Sequence, residues 1–153
     1  MPSSRSRLAL TDEEQVALLE EVRTLYVASI GRDGRPHVVP MWFGLDDDGR
    51  IAFTTYGTSQ KVHNLERDAR ITVLAEAGSA YDELRGVSID ARAEIVRDPA
   101  VTARVRALAG AHHAGLPRPV ADPDAPFPPE VAKRVTVVVH PERVRSWDHR
   151  KLR

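Results

Sequence analysis

The stretch Gly86–Val96 most constrains the fold of this chain, because its apolar and polar residues alternate one by one. Alternation over this length is typical of a long β-strand with one face on a core and the other towards solvent. Shorter apolar runs bounded by tight-turn signals such as Asp33-Gly34 predict further strands that connect as hairpins. Hairpin-connected strands with few helices between them favour a mainly β fold, a closed antiparallel barrel with a few short flanking helices.

The same patterns predict the remaining elements. The shorter strands are Leu25–Ile30, His37–Leu45, Ile51–Thr55, Ile71–Ala75, Val135–Val139 and Arg143–Trp147, the last two forming a hairpin around His140-Pro141. Helices are predicted from Thr11, where Glu14 completes a capping box, over Gln60–Arg67, and from Pro99 to about residue 109. Residues 1–10 are predicted to be a flexible N-terminal tail, and residues 11–153 a single domain with a proline-rich surface loop over residues 117–129.

Pro40 falls inside the second predicted strand. Proline cannot donate a hydrogen bond to a sheet ladder, so it is confined to edge strands and bulges. We therefore expect this strand to bend or open near Pro40, which leaves a gap for a ligand or another subunit.

The overall charge excludes one class of partner. Lys plus Arg and Asp plus Glu both number 22, so the formal net charge is zero. Nucleic-acid binding usually needs a basic stripe, and we expect no nucleic-acid partner. No apolar run approaches the roughly 18 residues of a membrane span, and Met1–Leu10 does not read as a signal peptide. With no cysteine for disulfides, a cytoplasmic location is the default expectation.

No metal site is expected either. The run Asp46-Asp47-Asp48-Gly49 lacks the alternating ligands of a calcium loop and predicts a hairpin turn instead. The six histidines show no zinc spacing, and the adjacent His112 and His113 would point apart on a helix. No nucleophile–base signature is present, so the catalytic residues stay unidentified and a cofactor would have to supply the chemistry.

The segment Phe53–Arg70 predicts an anion site where a strand gives way to a helix. It contains five hydroxyl residues, one glycine and one lysine, namely Thr54, Thr55, Tyr56, Thr58, Ser59, Gly57 and Lys61. Unpaired backbone N–H groups at a helix start, the positive end of the helix dipole and one ammonium together suit a phosphate.

A purely structural reading of these residues remains open. Thr54 and Thr55 are good strand residues, and Thr58 and Ser59 are ordinary residues for a helix N-terminus. Lys61 fits less well, since a lysine in the first helical turn opposes the macrodipole at a cost of roughly 0.3–1 kcal/mol. That unfavourable placement favours an anion beside it.

The order and spacing of several short motifs resemble one protein superfamily. They are Gly34-Arg35-Pro36-His37-Val38-Val39-Pro40-Met41-Trp42-Phe43, Phe53-Thr54-Thr55, Ser59-Gln60-Lys61, Asn64-Leu65-Glu66-Arg67-Asp68, Gly86–Val96 with Asp98-Pro99, and Val144–Arg150. The chain resembles the flavin- and deazaflavin-binding split β-barrel superfamily that includes pyridoxamine 5′-phosphate oxidase, and within it the deazaflavin-dependent branch. The resemblance implies a homodimer of split barrels with two cofactor sites at the interface.

The resemblance also implies roles for individual residues. Thr54 and Thr55 would contact the cofactor, and the helix start, from Thr58 through Ser59 and Gln60 to Lys61, would hold its phosphate. The strand from His37 to Trp42 would run along the ring, with Pro40 and Met41 offering backbone groups and an apolar surface. Trp147 lies on the last segment, which would reach the partner's site. Trp42 fits a core position and a ring-binding wall equally well.

One departure from the family pattern bears on the cofactor. Flavin-binding oxidases of the family place an arginine immediately before the phosphate lysine and another on the preceding strand; here Gln60 takes the first position, and His37–Phe43 contains no Arg or Lys. A flavin mononucleotide (FMN) phosphate carries about −1.5 to −2 charges, by analogy with other phosphomonoesters. The deazaflavin coenzyme F-420 carries a phosphodiester with one charge, which a single Lys61 suits better.

The resemblance therefore implies an F-420-dependent reductase that passes a hydride to a planar, conjugated small molecule. An FMN-dependent oxidoreductase on the same fold is the first alternative, and a non-catalytic cofactor- or haem-binding protein is the second. The acceptor is not identified, and whether residues 110–130 form a lid stays open.

Overall fold

The computed structural model describes residues 3–153. The helices are α1 (Ser4–Leu8), α2 (Asp12–Glu21), α3 (Gln60–Arg67) and α4 (Pro99–Ala114), with short 3-10 turns at Tyr81–Glu83, Pro129–Lys133 and His149–Leu152. The strands are β1 (Leu25–Ile30), β2 (Pro36–Met41), β3 (Gly44–Leu45), β4 (Ile51–Tyr56), β5 (Arg70–Ala77), β6 (Arg85–Val96) and β7 (Arg134–Asp148).

All seven strands form one antiparallel sheet in the order β2-β1-β5-β6-β7-β4-β3. The two edge strands, β2 and β3, are separated in the chain only by Trp42 and Phe43. Such a connection spans at most about 11 Å, so the sheet curls until its edges approach each other. The result confirms the mainly β split barrel. The closed barrel favoured by the hairpin pattern is wrong, because β2 and β3 do not pair.

The predicted long strand Gly86–Val96 is confirmed. The predicted hairpin around His140-Pro141 is wrong. Val87, Ile89 and Ala91 of β6 are buried against the core, as the alternation requires. The segment predicted as a hairpin is the single strand β7, which pairs with β6 from end to end. A register shift places Asp90 opposite Arg143 but Ala91 opposite Pro141. The His140-Pro141 pair therefore marks a bulge, where a residue without an N–H is tolerated.

The region around Pro40 divides into two strands. The predicted strand over residues 37–45 ends at Met41, and β3 begins two residues later on the opposite edge of the sheet. Pro40 pairs with Tyr26 of β1 and has no neighbour on its other side, because β2 is an edge strand. The expected opening of the strand near Pro40 is confirmed.

The N-terminal segment contains a short helix and one buried leucine. Residues 1 and 2 of that predicted tail lie outside the described residues. Beyond them, Ser3 caps α1 by accepting a hydrogen bond from the Ser6 N–H. Leu10 is buried, and its N–H donates to Oγ of Ser146 at 2.9 Å. The burial of Leu10 therefore holds this segment against the core, although its sequence shows no periodic pattern of apolar residues. The capping box of Thr11 and Glu14 at the start of α2 is confirmed.

Helix α4 closes one side of the half-barrel and is longer than predicted. It runs to Ala114, past Gly110, and ends at Gly115 in the left-handed conformation with φ 68°. A glycine inside a helix is tolerated, whereas a left-handed glycine terminates one. The helix lies close over β3, where a Cβ on Gly44 would approach the backbone of Leu108 and Ala109 to 3.2 Å. Phe43 and Phe53 fill the core beneath.

Candidate functional site

The junction between β4 and α3 brings the predicted anion-binding residues together. Lys61, in the first turn of α3, reaches back to β4, and its Nζ donates to Oγ1 of Thr55 at 2.9 Å. The Thr55 hydroxyl lies 3.4 Å from Oγ of Ser59. An ammonium and two hydroxyls thus converge where the strand ends. Thr54, the next residue back along β4, is also buried.

The N-terminus of α3 is left open by its own capping residue. Ser59 has the extended backbone of an N-cap but makes no side-chain hydrogen bond to the first turn. The first N–H groups of a helix have no partner within the helix. In α3 the Val62 N–H already donates to the carbonyl oxygen of Ser59, which leaves the N–H groups of Gln60 and Lys61 for a ligand. Thr58 lies beside this turn and is exposed.

Gln60 does not point into the same group. Its side-chain amide donates to Oδ1 of Asn64 at 2.8 Å, one helical turn along. Asn64 is fully buried and donates to Oγ of Ser29 on β1 at 3.1 Å. Gln60 therefore bonds within α3, Asn64 links that helix to the sheet, and the anion site is left to the neighbours of Gln60.

Arg134 is a second cation at this site, which the sequence analysis missed. It begins β7 and pairs with Tyr56 of β4, over whose ring its guanidinium carbon lies at 4.5 Å from the centroid. Its Nη1 lies 3.5 Å from the carbonyl oxygen of Thr54. The premise that Lys61 stands without a second cation is wrong. Only the β4–β7 pairing brings Arg134 here, and an isolated charge before a predicted strand was too weak a signal to identify it.

The charge of Arg134 affects Lys61, and neither cation pairs with a carboxylate within residues 3–153. Burial lowers the pKa of Lys61 below its ordinary value, and the nearby charge of Arg134 lowers it further. The Nε of Arg134 is buried without a hydrogen-bond partner. Within residues 3–153, carboxylates pair with many other basic residues but with neither of these two. Two partly buried like charges without a counter-ion suit an anionic ligand.

A groove of about 390 Å³ adjoins this cationic junction. Its wall is formed by the end of β2, by β4, by α4 and by the start of β7, and its lining residues are Pro40, Met41, Trp42, Thr54, Arg106, Ala109, Gly110 and Arg134. Pro40 and Met41 lie where the strand stops pairing, so the split in the barrel creates this space. A planar group placed in the groove would lie next to Arg134 and Arg106.

His37 and Trp147 lie elsewhere in the protomer. His37 borders a shallow depression of about 230 Å³ with Gln60 and Asn64, and its Nδ1 is buried without a partner. Trp147 lies at the far end of β7 from Arg134 and covers Gly86, where an added Cβ would come within 2.1 Å of its ring. The structure therefore groups Lys61, Thr55 and Ser59 at the strand–helix junction. It places Thr54 with Pro40 and Met41 along the adjoining groove, and His37 and Trp147 lie outside both.

The described residues, 3–153, contain neither a helix that could span a membrane nor a cluster of metal ligands. No helix within residues 3–153 is long and apolar enough to cross a bilayer. Over the same residues, no group of three or more histidine and acidic side chains is arranged to bind a metal ion. Asp46-Asp47-Asp48 lies in the turn between β3 and β4, where Asp47 pairs with Arg104 and Arg118.

A curled antiparallel half-barrel with a cationic strand–helix junction beside a groove defines a flavin-binding split-barrel protein. The family model of pyridoxamine 5′-phosphate oxidase matches residues 11–148, and the chain belongs to that family. Membership of this oxidase family points to an oxidoreductase with a flavin-type cofactor. None of the curated proteins matches the sequence.

Solved structures with the same fold are diverse. The conserved hypothetical protein Rv2991 from Mycobacterium tuberculosis is 39% identical, with a TM-score of 0.87 over 99% of this chain and 92% of that one. An F-420 reductase is 23% identical, with a TM-score of 0.64 over 94% of this chain and 98% of its own. An FAD-binding protein from Mesorhizobium loti is 19% identical, with a TM-score of 0.67 over 90% and 94% of the two chains. The last two show the fold alone.

Proposed function

We propose that this protein is an F-420-dependent reductase that transfers a hydride to a planar, conjugated small molecule. The open start of α3 carries this proposal, since it leaves an exit for a phosphodiester beside Lys61 and Arg134, neither of which pairs with a carboxylate within residues 3–153. The anionic linker of the cofactor would bind these side chains, the Ser59 and Thr55 hydroxyls and the free N–H groups of α3. Its ring system would lie in the adjoining groove against Pro40 and Met41.

The residues of the chain would bind and orient, and a bound cofactor would supply the hydride chemistry. Lys61, Arg134 and the α3 N-terminus would fix one end of the molecule. Pro40 and Met41 would exclude water from one side of its ring, which strengthens the electrostatic contacts at the anion site. No acid–base pair faces the groove among residues 3–153, so we assign the proton that completes the reduction to solvent.

The open start of α3 supports a phosphodiester. A diester continues beyond its phosphate, so its site needs an exit, whereas a terminal phosphate needs none. Thr58 and Gln60 are both exposed at this point of the chain. A tail leaving the phosphate would pass over these two residues into solvent. The similarity of fold to an F-420 reductase is compatible with the same cofactor.

FMN is the second candidate, and Arg134 is the observation that favours it. Two cations can neutralise a phosphomonoester of about −1.5 to −2 charges, so the shortage of positive charge inferred from Gln60 no longer argues against FMN. The two candidates make different predictions for the purified protein. The FMN candidate predicts tighter binding of FMN than of F-420, and the F-420 candidate predicts the reverse.

A second copy of the chain is part of the proposal. Val38 is 59% exposed on edge strand β2, and Tyr26 and Pro40 are exposed beside it. An unpaired edge strand with exposed apolar side chains is a typical site of association. We propose a homodimer across this face, with Trp147 of each copy contributing to the partner's site. Light scattering of the purified protein at micromolar concentration tests the dimer.

Titration of the cofactor-free protein with F-420 and, separately, with FMN tests the proposal. Lys61→Ala should weaken binding of the true cofactor by at least tenfold, because charge-assisted contacts to phosphate are strong. Lys133→Ala removes an exposed lysine close in the chain to Arg134 and serves as the control. Tighter binding of FMN would replace F-420 by the second candidate. Binding of neither compound would reject both and leave a non-catalytic or haem-binding role to be tested.

A further inference from the structure

The chain contains three lysines, at positions 61, 133 and 151, and they lie in different surroundings. Lys133 is exposed in the turn before β7. Lys151, in the last turn of the chain, donates to a carboxylate oxygen of Glu14 at 2.6 Å and to the carbonyl oxygen of Ala9 at 2.7 Å. Lys61 differs from both, because it is partly buried and its Nζ donates to a hydroxyl. An anionic reagent would therefore meet Lys61 beside hydroxyl groups and a second cation, but Lys151 beside a carboxylate.

The surroundings of Lys61 favour the neutral, reactive form of its amine. Burial lowers the pKa of Lys61 below its ordinary value, and the charge of Arg134 lowers it further. A neutral amine is a nucleophile, whereas an ammonium is not, and desolvation or a neighbouring cation activates lysines in other proteins. At a given pH, a larger fraction of Lys61 is therefore neutral than of a lysine with an ordinary pKa.

The anion site beside this amine is suited to bind the leaving group of an acyl phosphate. Such a molecule joins a carbonyl carbon to a phosphate. Its phosphate would bind to the guanidinium of Arg134, the hydroxyl of Ser59 and the free N–H groups at the start of α3. The acyl carbon would then lie close to Nζ of Lys61, which is held over the same junction at 2.9 Å from Oγ1 of Thr55. Proximity of this kind accelerates a reaction far beyond its rate in dilute solution.

We propose that Lys61 is a modification site, acylated by acyl phosphates, and that its acylation lowers the affinity of the anion site for the cofactor. Nζ of Lys61 attacks the carbonyl carbon and forms an amide bond to it. The bond between that carbon and the phosphate oxygen breaks, and inorganic phosphate leaves. The amine gives up a proton to solvent, and no atom is oxidised or reduced.

Acylation would act through charge. It replaces a cation by a neutral amide, so a charge-assisted contact to a bound phosphate is lost. This effect on the cofactor rests on the proposed function, whereas the acylation itself requires only the anion site and the amine.

Reaction of the cofactor-free, complete chain with acetyl phosphate tests the acylation. Peptide mass spectrometry at neutral pH would measure the acetylation rate of each lysine. Lys61 should react more than about tenfold faster than Lys133, because docking of the phosphate adds proximity to a more reactive amine. Lys151 should react no faster than Lys133, since the Glu14 carboxylate repels a phosphate. A rate at Lys61 equal to or below that at Lys133 would overturn the proposal.

Acetic anhydride separates docking of the phosphate from reactivity of the amine, because it transfers the same acetyl group without a phosphate. With this reagent, the preference for Lys61 over Lys133 should fall to about threefold or less. Inorganic phosphate should slow the reaction of Lys61 with acetyl phosphate and leave that of Lys133 unchanged. An equal preference with both reagents and no competition by phosphate would overturn the role of the anion site.

Arg134→Gln tests whether the second cation binds the phosphate of the reagent. It should lower the rate of Lys61 with acetyl phosphate by a larger factor than the rate with acetic anhydride, since only acetyl phosphate would contact the guanidinium. Arg5→Gln is the control, because Arg5 is an exposed charge on α1, which packs against the last turn of the chain. It should leave both rates unchanged. Equal losses with both reagents in Arg134→Gln would overturn docking at Arg134.

Titration with the cofactor measures the effect of the modification. Complete acetylation of Lys61 should weaken binding about tenfold, and Lys61→Gln, which resembles the acetylated side chain, should weaken it similarly. Lys61→Arg keeps a cation but has no amine that reacts, so treatment with acetyl phosphate should leave its dissociation constant unchanged. An equal loss of affinity on treatment of Lys61→Arg would place the effect at another residue and overturn the role of Lys61.

The outcomes separate this proposal from the proposed function. If neither F-420 nor FMN binds while Lys61 keeps its preference for acetyl phosphate, the proposed function fails and the acylation site stands. If a cofactor binds and Lys61 reacts no faster than Lys133, the proposed function stands and the acylation site is overturned. A bound cofactor should also protect Lys61 from acetyl phosphate, because both occupy the same anion site.

Discussion

The ammonium of Lys61 lies 2.9 Å from the hydroxyl oxygen of Thr55, to which it donates a hydrogen bond. This bond crosses from the first turn of α3 to the end of β4 and holds the lysine over the strand–helix junction. Arg134 approaches the same junction from β7, and its charge contributes to the lowered pKa of Lys61. In the absence of a ligand, the two neighbouring cations therefore destabilise the folded protein electrostatically. A bound anion would remove that destabilisation.

Replacement of Lys61 by methionine should stabilise the cofactor-free protein. The pKa of Lys61 is lowered in the folded state from an ordinary value of 10.5. Between the lowered value and the ordinary one, the unfolded chain binds more protons at this residue, so stability rises with pH through that window. We expect Lys61→Met to raise the melting temperature by about 2 °C near neutral pH and to flatten its rise towards high pH. Thermal unfolding monitored by circular dichroism measures both.

The exposed Lys133 provides the control for this prediction. Lys133→Met removes a charge near the same strand without removing a partly buried one, so the melting temperature should change little. A lower melting temperature in Lys61→Met than in the unsubstituted protein would show that Lys61 stabilises the fold even without a ligand.

Arg134 should contribute more to a dianionic ligand than to a monoanionic one. We expect Arg134→Gln to weaken FMN binding about tenfold or more, and F-420 binding by a smaller factor, because charge-assisted contacts dominate at such sites. Together with Lys61→Met, the loss should exceed the product of the single losses, since each single substitution already removes the repulsion between the two cations and so hides part of its own cost. Calorimetric titration of the two single variants and the double variant measures this coupling. Strictly multiplicative losses would mean that the two side chains act at separate sites.

Gly86 should be intolerant of any side chain. A Cβ at this position would lie 2.1 Å from the ring of Trp147, which packs flat against the neighbouring strand. We expect Gly86→Ala to reduce the free energy of unfolding by about 1–3 kcal/mol through overpacking. Gly110→Ala is the control, because no atom lies within 4 Å of the position where its Cβ would be. Urea unfolding measures the stability of each variant. Gly86→Ala should lose stability and Gly110→Ala should not, and combining Gly86→Ala with Trp147→Leu should restore part of the lost stability.

The protection of the loop over residues 117–129 from hydrogen exchange should depend on Asp47. Its carboxylate pairs with Arg104 of α4 at 2.9 Å and with Arg118 of the loop at 2.7 Å. These two hydrogen-bonded arginines hold the pKa of Asp47 at about 2, below its ordinary value of 3.8. A carboxylate whose pKa is lowered by folding contributes its full stabilisation at a pH above its ordinary pKa. It loses this stabilisation as the pH falls towards the lowered pKa. Protection of the loop should therefore be lost between about pH 4 and about pH 2.

Hydrogen exchange of the loop amides measures that protection. Asp47→Asn should show the faster exchange already at neutral pH, with little change in global stability, because exposed ion pairs contribute roughly 0–1 kcal/mol. Asp48→Asn, one residue along the same turn, is the matched control. Equal exchange in all three proteins would mean that prolines rather than Asp47 restrain the loop.

Local patterns predicted most of the elements. The bounds of α3 and β1 agree with the sequence prediction, and so does the position of Pro40 on an edge strand. These features depend on interactions within a few residues, such as the capping box at Thr11 and the alternation along β6. The closing hairpin failed for a related reason. A proline in a turn and a proline in a bulge leave the same local pattern, and only the partner strand distinguishes them.

The sequence alone determined most of the strands, the short helix after β4 and the grouping of hydroxyls with Lys61, because each is set by neighbours along the chain. Tertiary structure alone decided the second cation, since Arg134 reaches Lys61 only when β7 pairs with β4. It likewise decided that Trp42 meets His113, which requires α4 to pack across the split between the edges of the sheet. Contacts between residues far apart in the chain arise when the sheet curls to bury its apolar face, and no local pattern records which residues then become neighbours.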